Sequence, residues 1–218
     1  MALDRRISEA IDIIWARLDY NRGQEALSLI ESAANDGVAD AYYFLARCYA
    51  GECYVNPKFN FPEDDDKAEA FLQKSIDMGS ALGMFGARRF GGFEPTGGRF
   101  YHAPYNSDRE VWDAVADMAL NGERFCELLL ANAYYYGDSI DFLNLQLSDI
   151  TNPRDAYIVK SMVLTAAELY EDIYSKGLCM AICNYKDIIT SGDYGITPDQ
   201  NKYNILKTFC HQRGISIN

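Results

Sequence analysis

The side chains best suited to chemistry lie in one glycine-rich stretch, residues 91–108 (GGFEPTGGRFYHAPYNSD). It combines aromatic rings with a histidine and an arginine: Phe93, Arg99, Phe100, Tyr101, His102 and Tyr105. The glycines do not form a phosphate-binding loop, because no Gly-Lys-Ser/Thr follows them and no predicted strand precedes them. Disordered linkers are poor in aromatic residues, so we expect an ordered loop. Its rings either plug the edge of a helical core or build part of a binding surface.

Neither histidine belongs to a recognisable catalytic set. The sequence has no Gly-x-Ser-x-Gly, no HExxH and no Cys–His pair that its spacing supports. His102 alone does not indicate catalysis, and we expect His211, on the apolar face of the last predicted helix, to be packed. We therefore predict no enzyme activity and no cofactor. An enzyme or small-ligand binder that uses Cys126 or His102 near the 91–107 loop is an alternative.

The cysteines predict neither a disulfide scaffold nor a metal site. The six of them, spread over 218 residues, are too sparse for a disulfide framework. Cys179 and Cys183 share a predicted helix face, but a zinc site needs further Cys or His nearby, and the local sequence supplies none. We expect structural cysteines at the six positions, which are Cys48, Cys53, Cys126, Cys179, Cys183 and Cys210.

The formal net charge of −12 restricts the class of partner. It disfavours nucleic acid and anionic membranes, whose binding depends on basic patches. It suits a basic protein partner. The other explanation of the acidic charge is that it keeps the protein soluble. The N-terminus lacks the apolar region of a signal peptide, and no window has the ~20 uncharged apolar residues of a membrane span, so we expect a cytoplasmic protein. The acidic run 63–66 indicates a helix start rather than a cation site.

Five glycines mark a repeated helix. Apolar residues recur eleven, eight and three positions before them, as on one face of an α-helix, except that His211 stands three positions before the last. The glycine itself fits the position after a helix, where a left-handed backbone is common. These marker glycines are Gly37, Gly79, Gly122, Gly177 and Gly214.

A second helix is predicted after the first four marker glycines. Small residues stand four positions after each glycine, which indicates a seam of close helix packing; they are Ala41, Gly83, Cys126 and Ala181. The marker glycines are 42, 43, 55 and 37 residues apart. A unit of that length with two helices is typical of an α-solenoid.

Two stretches resemble Sel1-like repeats, a family related to the tetratricopeptide repeat. They are QEALSLIESAANDG followed by VADAYYFLARCYAG, and KAEAFLQKSIDMG followed by SALGMFGARRFGG. The family pattern is an Ala-led helix ending in Ala-Ala-x-x-Gly, then Ala-x-x-x-Leu-Gly-x-x-Tyr-x-x-Gly. Its second half is matched, with alanine in place of the usual first glycine, by Ala41, Leu45, Ala46 and Tyr49, and Gly51 stands one position before the final glycine of the pattern. The copies at 111–137 and 166–192 are degenerate.

The resemblance implies an all-α solenoid of about five antiparallel helix pairs in one domain, 1–218. Its repeat units are 4–36, 38–78, 80–121, 123–176 and 178–214. The predicted helices are 4–21, 24–36, 38–50, 66–78, 80–90, 108–121, 123–136, 155–176, 178–191 and 199–213. Single glycines join the pairs, whereas the long loops 51–65, 91–107 and 138–154 should all leave from one edge.

The resemblance also implies candidate partner-binding residues, because the first helix of each pair lines the concave face of the tetratricopeptide fold. On that register they are Tyr43, Arg47, Phe85, Arg89, Leu128, Asn132, Tyr135, Cys183 and Asp187, with Phe93, Arg99, Tyr101 and His102 added by the loop. Aromatic rings and arginine are enriched at interaction hot spots. Arg47, Arg89 and Asn132 would receive a carboxylate, as in peptide-clamping relatives. Solvated groove residues are the other interpretation.

These patterns together predict a protein–protein interaction or adaptor module. It would bind a partner protein or peptide in its concave groove, with the 91–107 loop as a lid. Reversing the charges of Arg47 and Arg89 together should then abolish partner capture. An alternative is an acidic immunity or inhibitor protein that neutralises a basic toxin.

Overall fold

A computed structural model describes residues 2–50, 56–89, 93–148 and 151–217. Every regular element in these ranges is a helix, which confirms the predicted all-α class. The α-helices are α1 (Arg5–Ile11), α2 (Gly23–Asn35), α3 (Ala39–Tyr49), α4 (Asn56–Phe59), α5 (Asp65–Asp77), α6 (Ala81–Arg89), α7 (Asp108–Leu120), α8 (Arg124–Tyr136), α9 (Ser139–Phe142), α10 (Pro153–Ser175), α11 (Ile182–Ser191) and α12 (Gln200–Gln212). None of these helices is both long enough and apolar enough to cross a membrane.

The prediction of one continuous helix over 4–21 was wrong. The α-helix ends at Ile11, and a π-helical turn, Asp12–Ala16, follows it. Leu18 then takes a left-handed backbone conformation with φ of 54°. Residues 13–16 are all buried. Four consecutive residues cannot face one side of a regular α-helix, and the wider π turn changes the phase so that they can all pack inward.

All five marker glycines end helices as predicted, with φ between 67° and 99°. Each forms the two hydrogen bonds of a Schellman motif. At the first, the Gly37 N–H donates to the Ala34 carbonyl and the Val38 N–H donates to the Ala33 carbonyl, both at 3.0 Å. The same pair of bonds recurs at Gly79, Gly122, Gly177 and Gly214. The left-handed position is therefore a feature of every repeated helix end.

Polar side chains cap the N-termini of α5 and α7, and the first of these confirms the helix start predicted at 63–66. The Asp64 carboxylate accepts a hydrogen bond from the Lys67 N–H at 3.0 Å, and the Ser107 hydroxyl accepts one from the Glu110 N–H at 3.3 Å. Each satisfies a backbone donor that the helix itself leaves unpaired. The run 63–66 is thus a helix start.

Substituting Asp64 by alanine should lower the free energy of unfolding by about 1 kcal/mol, because the first turn of α5 loses its cap. Urea unfolding monitored by circular dichroism measures this loss. Asp66→Ala removes the same charge from the same turn without removing the cap and serves as the control. Equal losses in the two variants would show that charge, and not capping, is responsible.

The chain forms two compact units, Met1–Cys126 and Glu127–Asn218. In the first unit, neighbouring helices in contact are α1 with α2, α2 with α3, α3 with α5, α5 with α6 and α6 with α7. In the second unit, α10 contacts α11 and α11 contacts α12. Helices joined by a Schellman turn reverse direction, so each unit is built from helical hairpins, the building block of an α-solenoid. The grouping of all 218 residues into one domain stays a prediction.

The predicted seam of small residues is confirmed where α5 meets α6. A Cβ atom placed on Gly83 would lie 2.4 Å from the Ser75 hydroxyl oxygen. Ala41, Cys126 and Ala181 are each completely buried. Larger side chains at these four positions would separate the helices that now pack together.

Candidate functional site

Two of the predicted groove residues, Tyr43 and Arg47, lie together in an aromatic cluster of the first unit. The Arg47 guanidinium carbon is 4.9 Å from the ring centroid of Phe125 and 5.5 Å from that of Trp15. Its Nη1 donates to the Tyr43 hydroxyl at 3.2 Å, and Tyr43 is only 4% exposed. Cation–π contacts thus hold the Arg47 side chain against the core. Charge reversal at Arg47 would consequently destabilise the unit as well as alter any groove.

Phe85 and Arg89 do not share an environment. Phe85 is fully buried, with its ring 6.1 Å from that of Trp112, so it contributes to packing. Arg89 is half-buried. The neighbouring Arg88, which the helical register did not select, forms a bidentate pair with Asp108 at 2.9 and 3.0 Å. That pair joins the end of α6 to the start of α7.

The aromatic loop is described from residue 93 onward, whereas Gly91 and Gly92 lie outside the described residues. Phe93 is 7% exposed, and the Phe100 ring lies 4.9 Å from the Arg88 guanidinium carbon. Burial, followed by the hydrogen bond to Asp108, raises the pKa of Tyr101 to about 12. Arg99 and His102 are both exposed. The loop therefore mixes packed rings with a polar surface.

The aromatic loop also runs along the length of α6. Near the C-terminal end of α6, Arg88 binds Asp108, which directly follows the loop. At the other end, the Ala103 carbonyl oxygen lies 2.4 Å from the position that a Cβ on Gly79 would take. The Thr96 N–H in addition donates to the Gln73 side chain of α5 at 2.7 Å. The loop thus covers parts of α5 and α6.

In the second unit, Asn132 belongs to a hydrogen-bonded network of side chains from three helices. The Tyr170 hydroxyl of α10 donates to Asn132 Oδ1 of α8 at 2.6 Å. Asn184 Nδ2 of α11 donates to the same oxygen at 3.2 Å and to the Tyr170 hydroxyl at 2.9 Å. The Tyr136 hydroxyl donates to Asn184 Oδ1 at 3.2 Å. This network fixes the orientation of both amide groups.

Tyr135, another predicted residue, lies beside this network. Its ring is 4.9 Å from that of Tyr136 and 6.2 Å from that of Tyr170, both edge to face. Burial raises the pKa of the Tyr135 hydroxyl, and the charge of Asp187 raises it further. Asp193 and Tyr194 contribute to the same shift, so they lie near Tyr135 as well. We call this set the tyrosine surface: Asn132, Tyr135, Tyr136, Asn184, Asp187, Asp193 and Tyr194.

Two large rings of the tyrosine surface are open to solvent: Tyr136 is 60% exposed and Tyr194 is 53% exposed. Tyr194 has a φ of 54°, a conformation that a bulky side chain keeps only where its surroundings hold it. It lies between two glycines of positive φ, Gly192 and Gly195, and Lys160 Nζ donates to the Gly195 carbonyl at 2.8 Å. The turn therefore holds the Tyr194 backbone in a defined conformation, with its side chain exposed.

The helical register found Asn132, Tyr135 and Asp187 of this surface, but not Tyr136, Asn184, Asp193 or Tyr194. The run SGDYG at 191–195 was the available signal, because a tyrosine between turn-forming glycines is exposed more often than packed. Asn184 gave no such signal. Its role depends on neighbours from α8 and α10 that are remote in sequence.

The expectation that His211 is packed was wrong, since its side chain is exposed. The buried residues of α12 are Leu206 and Cys210, and a residue one position further along turns away from that face. His102 is also exposed, whereas Cys126 is fully buried.

Cys48, Cys126 and Cys210 are buried, as expected of structural cysteines. Cys179 is half-buried, Cys183 is exposed, and Cys53 lies outside the described residues. Burial raises the pKa of Cys179 and of Cys210, which disfavours their reactive thiolate forms. Across the described ranges, no three His, Cys, Asp or Glu side chains are grouped so as to hold a metal ion.

No protein-family model matches this sequence, and no curated protein matches it. Among solved structures, the chain is similar to a Sel1 repeat protein from Oxalobacter formigenes. The two share 14% sequence identity, over 94% of this chain and 87% of that one, with a TM-score of 0.33. The similarity to Sel1-like repeats therefore remains a resemblance, and no residue role is transferred from that protein.

Proposed function

We propose that this chain is a protein-interaction module that binds a basic segment of a partner protein at the tyrosine surface. One observation carries the proposal: Tyr136 and Tyr194 are both more than half exposed, beside a network that fixes Asn132 and Asn184. Tyrosine is enriched at protein interfaces because it offers a large contact area with a polar end. The Tyr136 ring is held by its hydrogen bond to Asn184, so it loses little conformational entropy on binding.

The amide of Asn132 offers a specific contact to a bound peptide. Its Oδ1 accepts two hydrogen bonds, from Tyr170 and Asn184. Among the described residues, its Nδ2 donates to no protein group. A half-buried donor with a fixed direction suits the backbone carbonyl of an extended segment.

The expected charge of the partner follows from Asp187 and Asp193. Both carboxylates are exposed, and within the described part of the chain neither forms an ion pair. Lysine or arginine would be attracted to these carboxylates and to the faces of the neighbouring tyrosine rings. The net charge of −12 over the chain acts in the same direction and should accelerate association with a basic partner.

Capture of partners by the full chain, followed by quantitative mass spectrometry, tests this proposal. A Tyr136→Ala/Tyr194→Ala double variant should retain about one tenth, or less, of the partner that the unsubstituted protein retains, because two hot-spot rings are lost. Asp187→Asn/Asp193→Asn should weaken capture most at low salt.

The matched control is Tyr157→Ala, which removes a ring that is 72% exposed on α10 of the same unit. It should retain the partner at the unsubstituted level. If all three variants retain the partner equally, the tyrosine surface is not the binding site. A single basic protein in a tight, salt-sensitive complex would favour an inhibitor of a basic toxin over a general adaptor.

A further inference from the structure

The first unit contains an open cavity of about 580 Å³ at the end where its Schellman turns lie. Four parts of the chain line it: residues 2–4, the start of α3, the turn from α5 to α6, and the last turns of α7. Tyr105 of the aromatic loop completes the wall. A volume of this order is typical of small-molecule sites. The cavity is remote in sequence from the tyrosine surface and does not depend on the function proposed for it.

The wall of the cavity is apolar except for a few polar groups. Leu3, Ala81 and Met118 are buried apolar residues of the lining. Asp40 provides a carboxylate whose Oδ1 accepts a hydrogen bond from the Ser80 hydroxyl at 2.5 Å. Ser80 is 3% exposed, and its oxygen in turn accepts from the Gly83 N–H at 3.0 Å. Two consecutive hydrogen bonds therefore fix the direction of the Asp40 carboxylate.

Apart from the hydrogen bond from Ser80, the Asp40 carboxylate has no charged partner among the described residues. In the described ranges no basic side chain lies within ion-pairing distance of Asp40 or Asp117, whereas the third carboxylate of the wall, Asp4, is paired with Arg6 at 2.9 Å. Burial raises the pKa of Asp40. After burial, the charge of Asp40 is the next cause of the raised pKa of Tyr105, so the two groups lie close together. An apolar cavity with convergent, perturbed polar groups is characteristic of a binding site.

We infer that this cavity binds a primary ammonium group on an apolar stem. The ammonium donates to the Asp40 carboxylate and is attracted by Asp117, and the stem lies against Leu3 and Met118. The lysine side chain of another protein and a free alkylamine share this chemistry. Both carry three donors on a flexible hydrocarbon chain, which an apolar wall with one fixed carboxylate accommodates.

The raised pKa of Asp40 makes a separate prediction about stability. A carboxyl group whose pKa is higher in the folded than in the unfolded state contributes stability at low pH, and this contribution is lost as the pH rises through the folded value. Asp40→Asn keeps an acceptor for the Ser80 hydroxyl but carries no charge. The variant should therefore unfold at a higher urea concentration than the unsubstituted chain at about pH 7, with no gain at about pH 3.

Titration of the full chain with butylammonium chloride, followed by NMR spectroscopy of the methyl groups, tests the inference. Binding should be saturable and should shift the resonances of Leu3, Ala81 and Met118. Asp40→Asn should weaken it by about tenfold or more, because a charge-assisted hydrogen bond is lost. Asp117→Asn should weaken it less. Butanol, a neutral analogue of the same length, should not bind.

Asp66→Asn is the matched control, since it removes one carboxylate from the opposite end of α5, about 18 Å from the cavity. It should bind butylammonium as the unsubstituted chain does. Tighter binding of Nα-acetyl-lysine methylamide would identify a lysine side chain as the ligand, and tighter binding of butylammonium a free amine. The inference is overturned if butylammonium does not saturate, if butanol binds equally well, or if Asp40→Asn and Asp66→Asn have equal effects.

Discussion

Replacing Gly79 by alanine should lower the free energy of unfolding of the first unit by about 3–5 kcal/mol, whereas the same change at Gly37 should lower it by about 1–2 kcal/mol. Both glycines hold a left-handed backbone, with φ of 81° and 83°. Alanine at either position therefore incurs the same cost in backbone strain. They differ in their surroundings. A Cβ on Gly79 would lie 2.4 Å from the Ala103 carbonyl oxygen, whereas a Cβ on Gly37 meets nothing within 4 Å.

The contact at Gly79 is with backbone, so a side-chain rotation cannot relieve it. The aromatic loop would have to move away from α5 and α6, and its hydrogen bond from the Thr96 N–H to Gln73 would weaken with it. Both tryptophans, Trp15 and Trp112, lie in the first unit, so tryptophan fluorescence during urea unfolding follows that unit. Equal losses at Gly37 and Gly79 would show that the loop does not pack against this turn.

Replacing Phe44 by alanine should lower the free energy of unfolding of the first unit by about 3–5 kcal/mol, because it opens a cavity among close-packed rings. Phe44 is completely buried, and its ring centroid is 5.0 Å from that of Phe125 and 5.5 Å from that of Trp15. These two rings also support the Arg47 guanidinium, so its cation–π contacts should weaken as the rings relax.

Urea unfolding measures this effect, and the emission maximum of Trp15 should shift to longer wavelength as its surroundings loosen. Phe100→Ala is the control, since it removes a half-exposed ring that packs mainly against Arg88. It should cost about 1 kcal/mol. If Phe44→Ala costs no more than Phe100→Ala, then the cluster around Arg47 is not the centre of the core of the first unit.

The helices and their ends could be predicted from the sequence because their causes are local. A Schellman turn needs a glycine at one position and two backbone hydrogen bonds within six residues. The helix ends at Gly37 and Gly177 can therefore be recognised from the local sequence. The caps at Asp64 and Ser107 depend on residues three positions apart. The prediction of the first helix was wrong because the π-helical turn, Asp12–Ala16, depends on tertiary packing that no local pattern encodes.

The candidate site could be predicted only in part, because helical register gives the face of a residue and not its neighbours. It placed Tyr43 and Phe85 on a binding face, yet tertiary packing buries both. The register selected Asn132 but could not predict the hydrogen bonds that orient its amide group. These come from Tyr170 and Asn184, which are 38 and 52 residues away. Those contacts exist only once three helices meet.

Photo-crosslinking from position 194 tests most directly whether the tyrosine surface binds a partner protein. A photoreactive phenylalanine analogue would replace Tyr194 in the full chain, and in separate variants Ile205 of α12 and His102 of the aromatic loop, which are also exposed. We predict a crosslink from position 194 to a lysine- or arginine-rich segment of one partner protein, with none from position 205 or 102. Crosslinks to that partner from position 102 or 205, and none from position 194, would contradict the assignment of binding to the tyrosine surface.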